Sequence, residues 1–379
     1  MRVALIGTRG IPARYGGFET AVEEVGRRLA ARGHEVVVFC RGGADDAKLP
    51  DYLGVQLVHL PSVKRRAFET LSHTALSVFH HSLKNVDAAV VFNAANSPLL
   101  PVLRARRIPV ATHVDGLEWK RSKWGPTGRR YYRAAESLAV RNSDALIADA
   151  QGIADYYDQE FGAPTRLIAY GAPLLADPAS DRLAELGLTP HGYHLVVARF
   201  ESENHVLEIV QGYVASTATL PLVVVGSAPY ADRYIAEIEQ ASDGRVKLLG
   251  GLWDQTQLDQ LYANALTYLH GHSVGGTNPS LLRAAGAGAF VIAYDVPFNR
   301  EVAGDHAEYF ASPADVAREV ERAEADPEQA RTRGAALQRD IARYNWEDVA
   351  DRYEQLLGDL SGRAFPARRP SGRRSGDVR

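Results

Sequence analysis

The chain has 379 residues, 46% of them hydrophobic, 23% charged and 8% aromatic, with a formal net charge of −3. That length and apolar content predict two domains with full cores, and exclude a single small module or a disordered chain. Cys40 is the only cysteine, which excludes an intramolecular disulfide framework and a cysteine zinc site.

The apolar runs at 88–92 and 221–225 fall far short of the roughly 20 residues that span a bilayer. The N-terminus, Met1-Arg2-Val3-Ala4-Leu5-Ile6-Gly7, enters a strand-like run with no signal-peptide pattern, so a cytoplasmic protein is expected. Gly362 to Arg379 holds six arginines against Asp377 on an otherwise acidic chain. Its Pro, Gly and Ser content predicts a disordered, solvated basic tail. Contact with anionic lipid is the competing reading, and nucleic acid does not fit an acidic body.

Short apolar runs alternate with helical patterns along the chain. Strands are expected at 3–7, 35–40, 55–60, 88–92, 109–113, 145–148 and 166–168, with helices at 18–31, 67–83 and 129–141. Ala21, Val22, Val25 and Leu29 share one face of the first helix, and Gly33 ends it. The pattern breaks over 170–193, and a boundary is placed near Gly171. The alternation restarts with strands at 194–199, 220–226, 246–250, 266–271 and 289–294, and helices at 203–214, 231–241, 257–263 and 279–286. Strands separated by helices imply parallel sheets, hence two doubly wound α/β domains. Facing across a cleft, such domains bind ligands in the loops after their strands.

The first strand opens into Gly7-Thr8-Arg9-Gly10-Ile11-Pro12-Ala13-Arg14-Tyr15-Gly16-Gly17-Phe18-Glu19-Thr20 at a helix N-terminus. Glycines, free amides and the helix dipole suit a phosphate, and Arg9 and Arg14 add charge. The G-x-G-x-x-G spacing of dinucleotide sites is absent, and strand two ends in Cys40-Arg41 without an acidic ribose ligand. Arg41 facing a 2′-phosphate keeps an NADP-dependent oxidoreductase as an alternative. After the strand at 109–113, the run from His113 to Trp124 mixes tryptophans, cations and carboxylates, a surface suited to a polyhydroxylated or anionic ligand; a solvated salt-bridged turn is the bland reading. In the second half, Arg199 ends a strand where it can neutralise a phosphate leaving group. His270-Gly271-His272-Ser273-Val274-Gly275-Gly276-Thr277-Asn278-Pro279-Ser280 sets two glycines before an Asn cap and a Pro at N1, a second anion site in outline. No metal-ligand spacing accompanies the two histidines, which read as polar groups of the cleft.

The segments Gly7–Pro12, Tyr15–Thr20, Val114–Arg121, Ile168–Ala172 and Gly275–Leu282 together resemble a GT-B glycosyltransferase of the family 4, retaining type. The nearest likeness is to bacterial capsule and exopolysaccharide rhamnosyltransferases. The resemblance implies an acceptor domain at 1–171, a nucleotide-sugar domain at 172–345, a helix at 346–361 crossing back to the first domain, and the tail at 362–379. It implies a dTDP-rhamnose donor, a lipid-linked or polysaccharide acceptor, peripheral contact with the inner membrane face, and no required metal or cofactor. Arg199, Asp115 and His113 would be catalytic. Gly16, Gly17, Arg199, Asn204, Gly275, Gly276, Thr277, Asn278 and Arg283 would hold the donor. Arg9, Arg14, Tyr15, Glu118, Trp119, Lys120 and Arg121 would hold the acceptor. Two departures stand out. Asn204 occupies the place of a family lysine. Arg283 occupies that of the glutamate that binds the donor ribose, while the other family glutamate, eight residues earlier, is Gly275. A cation cannot accept hydrogen bonds from ribose hydroxyls, so a non-catalytic GT-B binding subunit is the rival expectation.

Overall fold

A computed structural model describes residues 1–13, 16–42, 49–63, 68–114, 116–122, 124–175, 179–227 and 232–362. Arg14, Tyr15, Asp115 and the basic tail beyond Gly362 lie outside the described residues.

Runs such as Val36-Val37-Val38 and Leu222-Val223-Val224-Val225 are apolar on both faces, as central strands of a parallel sheet require, and all are buried. The first sheet comprises β1 (Arg2–Ile6), β2 (Glu35–Arg41), β3 (Asp51–Tyr52), β4 (Val55–Leu60), β5 (Ala88–Phe92), β6 (Val110–His113), β7 (Ala145–Ala148) and β8 (Arg166–Leu167). Its order is β3-β4-β2-β1-β5-β6-β7-β8, and every pairing is parallel except β3 with β4. The second comprises β9 (His194–Val197), β10 (Leu222–Val225), β11 (Val246–Gly250), β12 (Thr267–His270), β13 (Phe290–Tyr294) and β14 (Glu308–Phe310), in the order β11-β10-β9-β12-β13-β14. Each sheet reverses its winding at one point, beside β1 and β5 in the first and beside β9 and β12 in the second. Ligands of doubly wound sheets bind outside the carboxyl ends at such points.

The chain divides into one compact unit of Met1–Trp119, Trp124–Gly171 and the segment from Tyr344, and a second of Lys120–Lys123 and Ala172–Arg343. Both are Rossmann-like α/β domains. In the first, the helix Gly17–Ala31 buries Val22, Val25 and Leu29 completely, which contributes about 1.5–3 kcal/mol per side chain. The last helix, Trp346–Ser361, packs on it. Arg32 joins them, meeting Asp351 at 2.8 Å, Glu354 at 3.0 Å and Glu347 at 3.1 Å. Trp346 lies so close to Gly171 that a Cβ there would fall 2.4 Å from its ring.

Two expected helices differ in extent. The one expected at 67–83 ends at Phe79, because His80 turns to extended backbone and its ring accepts from the Ser82 amide at 3.2 Å. The one expected at 203–214 starts at Val206, because His205 adopts a left-handed φ of +46° after a short turn at Ser202–Asn204. Helices at Gln151–Phe161, Pro297–Ala303, Pro313–Ala325 and Pro327–Asp340, and the strand β14, were not expected.

Candidate functional site

In the first unit the glycine-rich loop leaves β1 at the reversal point. Gly7 has φ +101°, and a Cβ on it would lie 2.5 Å from the Phe92 carbonyl oxygen, so this glycine serves the close approach of β1 and β5. The loop is held by carboxylates of the helix it feeds. Glu19 accepts from the Arg9 amide at 3.0 Å, and Glu23 accepts from the Ala13 amide at 2.6 Å. Gly16 is the N-cap of that helix, which begins at Gly17, and the Glu19 carboxylate lies 2.6 Å from where a Gly16 Cβ would stand. The anion beside this helix end is therefore the chain's own, favoured there by the helix dipole. Arg9 and Arg41 both lie 3.5 Å from Glu69, and Arg41 also donates to Thr70 Oγ1 at 2.9 Å. The arginine that kept a 2′-phosphate in view is already neutralised by these partners.

His113 closes β6 as a fully buried ring. It stacks near Phe92 and Tyr170, at centroid distances of 5.5 and 5.9 Å, with the Phe18 edge at 5.2 Å. Neither nitrogen has a hydrogen-bond partner among the described residues. Burial pulls its pKa down to about 3, so near pH 7 it is a neutral imidazole that can donate and accept but carries no charge.

Of the expected acceptor residues that are described, Arg9, Glu118 and Trp119 belong to the first unit and Lys120 and Arg121 to the second. Glu118 accepts from Trp124 Nε1 at 3.3 Å, and the Arg133 guanidinium sits 5.1 Å over the Trp119 ring. Lys120 is exposed, and Arg121 belongs to the second unit. There its buried guanidinium lies 3.2 Å from Glu201 and 3.6 Å from Glu203.

That placement joins Arg121 to Arg199, which follows β9 and lies 3.6 Å from the same Glu201 carboxylate. Asn204, in the turn after Arg199, is buried. Its amide nitrogen donates to the Arg199 carbonyl at 2.8 Å, and its oxygen lies 2.8 Å from His272 Nδ1. His272 follows β12 on the other side of the reversal point. Gly275 has φ +143°, with a Cβ direction ending 3.0 Å from His272 Nε2. Gly276 and Thr277 are buried, and Asn278 caps the helix Pro279–Gly286 by accepting from the Ser280 amide at 2.9 Å. Arg283 pairs with Asp259 of the helix Gln255–Ala263. Burial lowers the His270 pKa to about 3; burial, together with Arg121 and Arg199, holds His272 well below the usual histidine range. Among the described residues no group of three or more His, Cys, Asp and Glu side chains is placed to hold a metal ion.

The second unit therefore brings Arg199, Asn204, Gly275 and Arg121 to the ends of β9 and β12. Glu201 and Asp259, the carboxylates that neutralise its arginines, were not anticipated. Glu201 sits two residues past Arg199, which was a usable signal; Asp259 is 24 residues from Arg283, and no spacing rule joins them.

Two family models match the sequence. The Glycosyl transferase 4-like domain matches residues 16–171, and Glycosyl transferases group 1 matches residues 189–339. Among solved structures, sucrose-phosphate synthase from Thermosynechococcus elongatus superposes with a TM-score of 0.81 at 20% identity, over 95% of this chain and 99% of that one. Anabaena HepE in complex with UDP-glucose gives 0.77 at 16% identity, over 95% and 100%. A glycosyltransferase from Rickettsia africae gives 0.72 at 12%, over 95% and 98%. At these identities the likeness is one of fold. No curated protein matches the chain significantly.

Proposed function

Because the chain belongs to the GT-B-fold glycosyltransferases, joining a glycosyl transferase 4-like domain to a group 1 domain, we propose that it is a cytoplasmic retaining transferase. Its second unit holds a nucleotide-sugar, and its first unit presents the acceptor. The observation that carries this reading is the arrangement of Arg199 and Arg121 about Glu201 at the reversal point of the second sheet. There the partly exposed Arg199 guanidinium, held by Glu201 at 3.6 Å while buried Arg121 balances that carboxylate, meets the charge that builds on a departing diphosphate.

In the proposed reaction the bond between the sugar's anomeric carbon and the diphosphate oxygen breaks, and the acceptor oxygen bonds that carbon on the same face. The acceptor's proton passes to the leaving diphosphate. Arg199 and the Gly275 and Gly276 amides stabilise the leaving group without a metal; Asn204, Thr277 and Asn278 shape the donor pocket. Neutral His113, together with Asp115, orients sugar hydroxyls; Gly16 and Gly17, expected at the donor's phosphate, are left out of that role because Glu19 already occupies their helix end.

We take dTDP-rhamnose as the donor from the motif resemblance; HepE, crystallised with UDP-glucose, makes a UDP-sugar the competing donor. A lipid-linked acceptor, met at the inner membrane face, is supported by an apolar groove of about 460 Å³ on the first unit. Val63, Phe68, Leu71, Ala75, Pro98 and Leu99 line it. Phe68 at its rim stands more than half exposed, and an exposed apolar surface of this kind marks a lipid or partner contact. The test is transfer of labelled rhamnose from dTDP-rhamnose, or labelled glucose from UDP-glucose, to membrane lipid extract. Label in the lipid fraction supports the reading, and none with any donor argues against it.

The ion pair of Arg283 with Asp259 favours a second reading, a non-catalytic binding subunit. In that case nucleotide binding is weak or absent and acceptor binding persists.

A further inference from the structure

Besides the ribose-binding glutamate replaced by Arg283, the resemblance leaves this chain without two further family groups, the lysine replaced by Asn204 and the glutamate replaced by Gly275. In the structure those two positions meet at one side chain, His272.

The tautomer of His272 follows from its neighbours. The Arg199 carbonyl can only accept, so the Asn204 group facing it at 2.8 Å is the amide nitrogen. The Asn204 oxygen then faces His272 Nδ1 at 2.8 Å and must accept from it. Nδ1 carries the proton, and Nε2 keeps a bare lone pair. The ring is more than nine-tenths buried, and no described residue donates to Nε2. Any side chain at position 275 would press on that nitrogen, whereas glycine leaves it open. Burial and the nearby cations Arg121 and Arg199 keep the ring neutral.

Where a bound donor displaces water, a neutral lone pair of this kind is satisfied only by a ligand group that brings a proton. The bridging phosphates of a sugar nucleotide are fully ionised near pH 7 and bring none. Its hydroxyls do. His272 stands beside Arg199 and Gly275, the groups placed to meet the diphosphate, and not beside Arg283 one turn into the helix, where the family binds ribose. Resting on the nucleotide-sugar reading above, we infer that His272 Nε2 accepts a hydrogen bond from a hydroxyl of the transferred sugar, with Asn204 fixing its tautomer. His272 is thus a specificity residue that separates the sugar-bearing donor from the bare nucleotide.

The experiment is calorimetric titration of the full chain with dTDP, dTDP-rhamnose, UDP and UDP-glucose, for the wild type and for His272→Phe, which keeps a ring but removes both nitrogens. The expected result is a loss of about tenfold in affinity for the preferred sugar conjugate, the scale of one hydrogen bond to a buried group. Affinity for its bare diphosphate stays within about twofold, and His272→Gln recovers part of the loss. A second measurement needs no variant: in ¹⁵N-histidine-labelled wild type, the His272 Nε2 resonance moves on adding the conjugate and not on adding the diphosphate. Equal loss for conjugate and diphosphate would assign His272 to the ribose or to folding and overturn the inference while leaving the transferase reading intact. An unchanged conjugate affinity in His272→Phe, or an unmoved Nε2 signal, overturns it as well. A wild type that binds none of the four ligands defeats the donor reading itself, and the inference with it.

Discussion

Arg283 and Asp259 form an ion pair inside the second unit, with only 22% and 26% of their side chains exposed. The arginine in the family's glutamate position is thus a cation with a partner of its own. Arg283→Glu sets two carboxylates against each other. It is expected to cost about 1–2 kcal/mol, between the values for surface pairs and for buried pairs that lose one partner. The charge-swapped double variant, Arg283→Asp with Asp259→Arg, should recover most of that loss in denaturant melts. If Arg283→Glu instead gains affinity for dTDP or UDP, the arginine marks a lost ribose contact and the binding-subunit reading gains.

Arg199 lies 3.6 Å from Glu201 and is 37% exposed, so removing it should leave the fold intact. Arg199→Ala is expected to cut turnover by roughly 100-fold or more, the scale of one lost charge-stabilising donor. Circular dichroism and melting temperature should not change. Undiminished turnover in the folded variant would remove Arg199 from leaving-group stabilisation.

The parallel sheets were legible because their apolar runs are short and separated by helical periods. The extents of the helices at 69–79 and 206–215 were not, because they depend on His80 and His205, whose backbone and side-chain turns no periodicity announces. The unexpected helices at 297–303, 313–325 and 327–340 each carry a proline at the first turn, a start signal present in the sequence but masked by their high charge. At the site, Arg199 was legible from its strand end and Gly275 from glycine spacing, whereas Asn204 was singled out only by the motif resemblance. The grouping of Arg121 with Arg199 was not: it arises from tertiary contact with Glu201 and Glu203, whereas its sequence neighbours Glu118 and Trp119 bond within the first unit.

Arg32 has an 8% exposed side chain and faces three carboxylates of the last helix. Arg32→Ala removes the cation shared by Asp351 and Glu354, while Glu354 keeps its contact with His34 at 2.8 Å, and is expected to cost about 2 kcal/mol, between the values for a surface pair and for a buried pair that loses one member. Limited proteolysis should then release the last helix before the rest of the chain is cut. A protease pattern like that of the wild type would show that apolar packing of Trp346 and Leu357 holds the helix without these pairs.

Glu136 is buried beneath the Trp119 segment. Burial raises its pKa to about 7 against the opposing hydrogen bond from Tyr156, which donates at 2.9 Å, and the charge of Arg133. A carboxyl with a raised folded-state pKa contributes stability below its unfolded value near 4.5, and that contribution is lost as pH rises towards 7. By linkage the loss at pH 8 is on the order of 3 kcal/mol. Glu136→Gln should therefore match the wild type near pH 4.5 and exceed it in urea melts at pH 8. Parallel stability curves for the two proteins between pH 4.5 and 8 would contradict this.

The central claim is that the second unit binds a nucleotide-sugar donor. The most direct measurement is a thermal-shift titration of the full chain against dTDP-rhamnose, dTDP, UDP-glucose, UDP and NADP, since a ligand of the folded state raises the melting point with its concentration. The account predicts stabilisation by dTDP-rhamnose and dTDP, or by the UDP pair, and none by NADP. Stabilisation by NADP alone, or by no nucleotide at all, would contradict it.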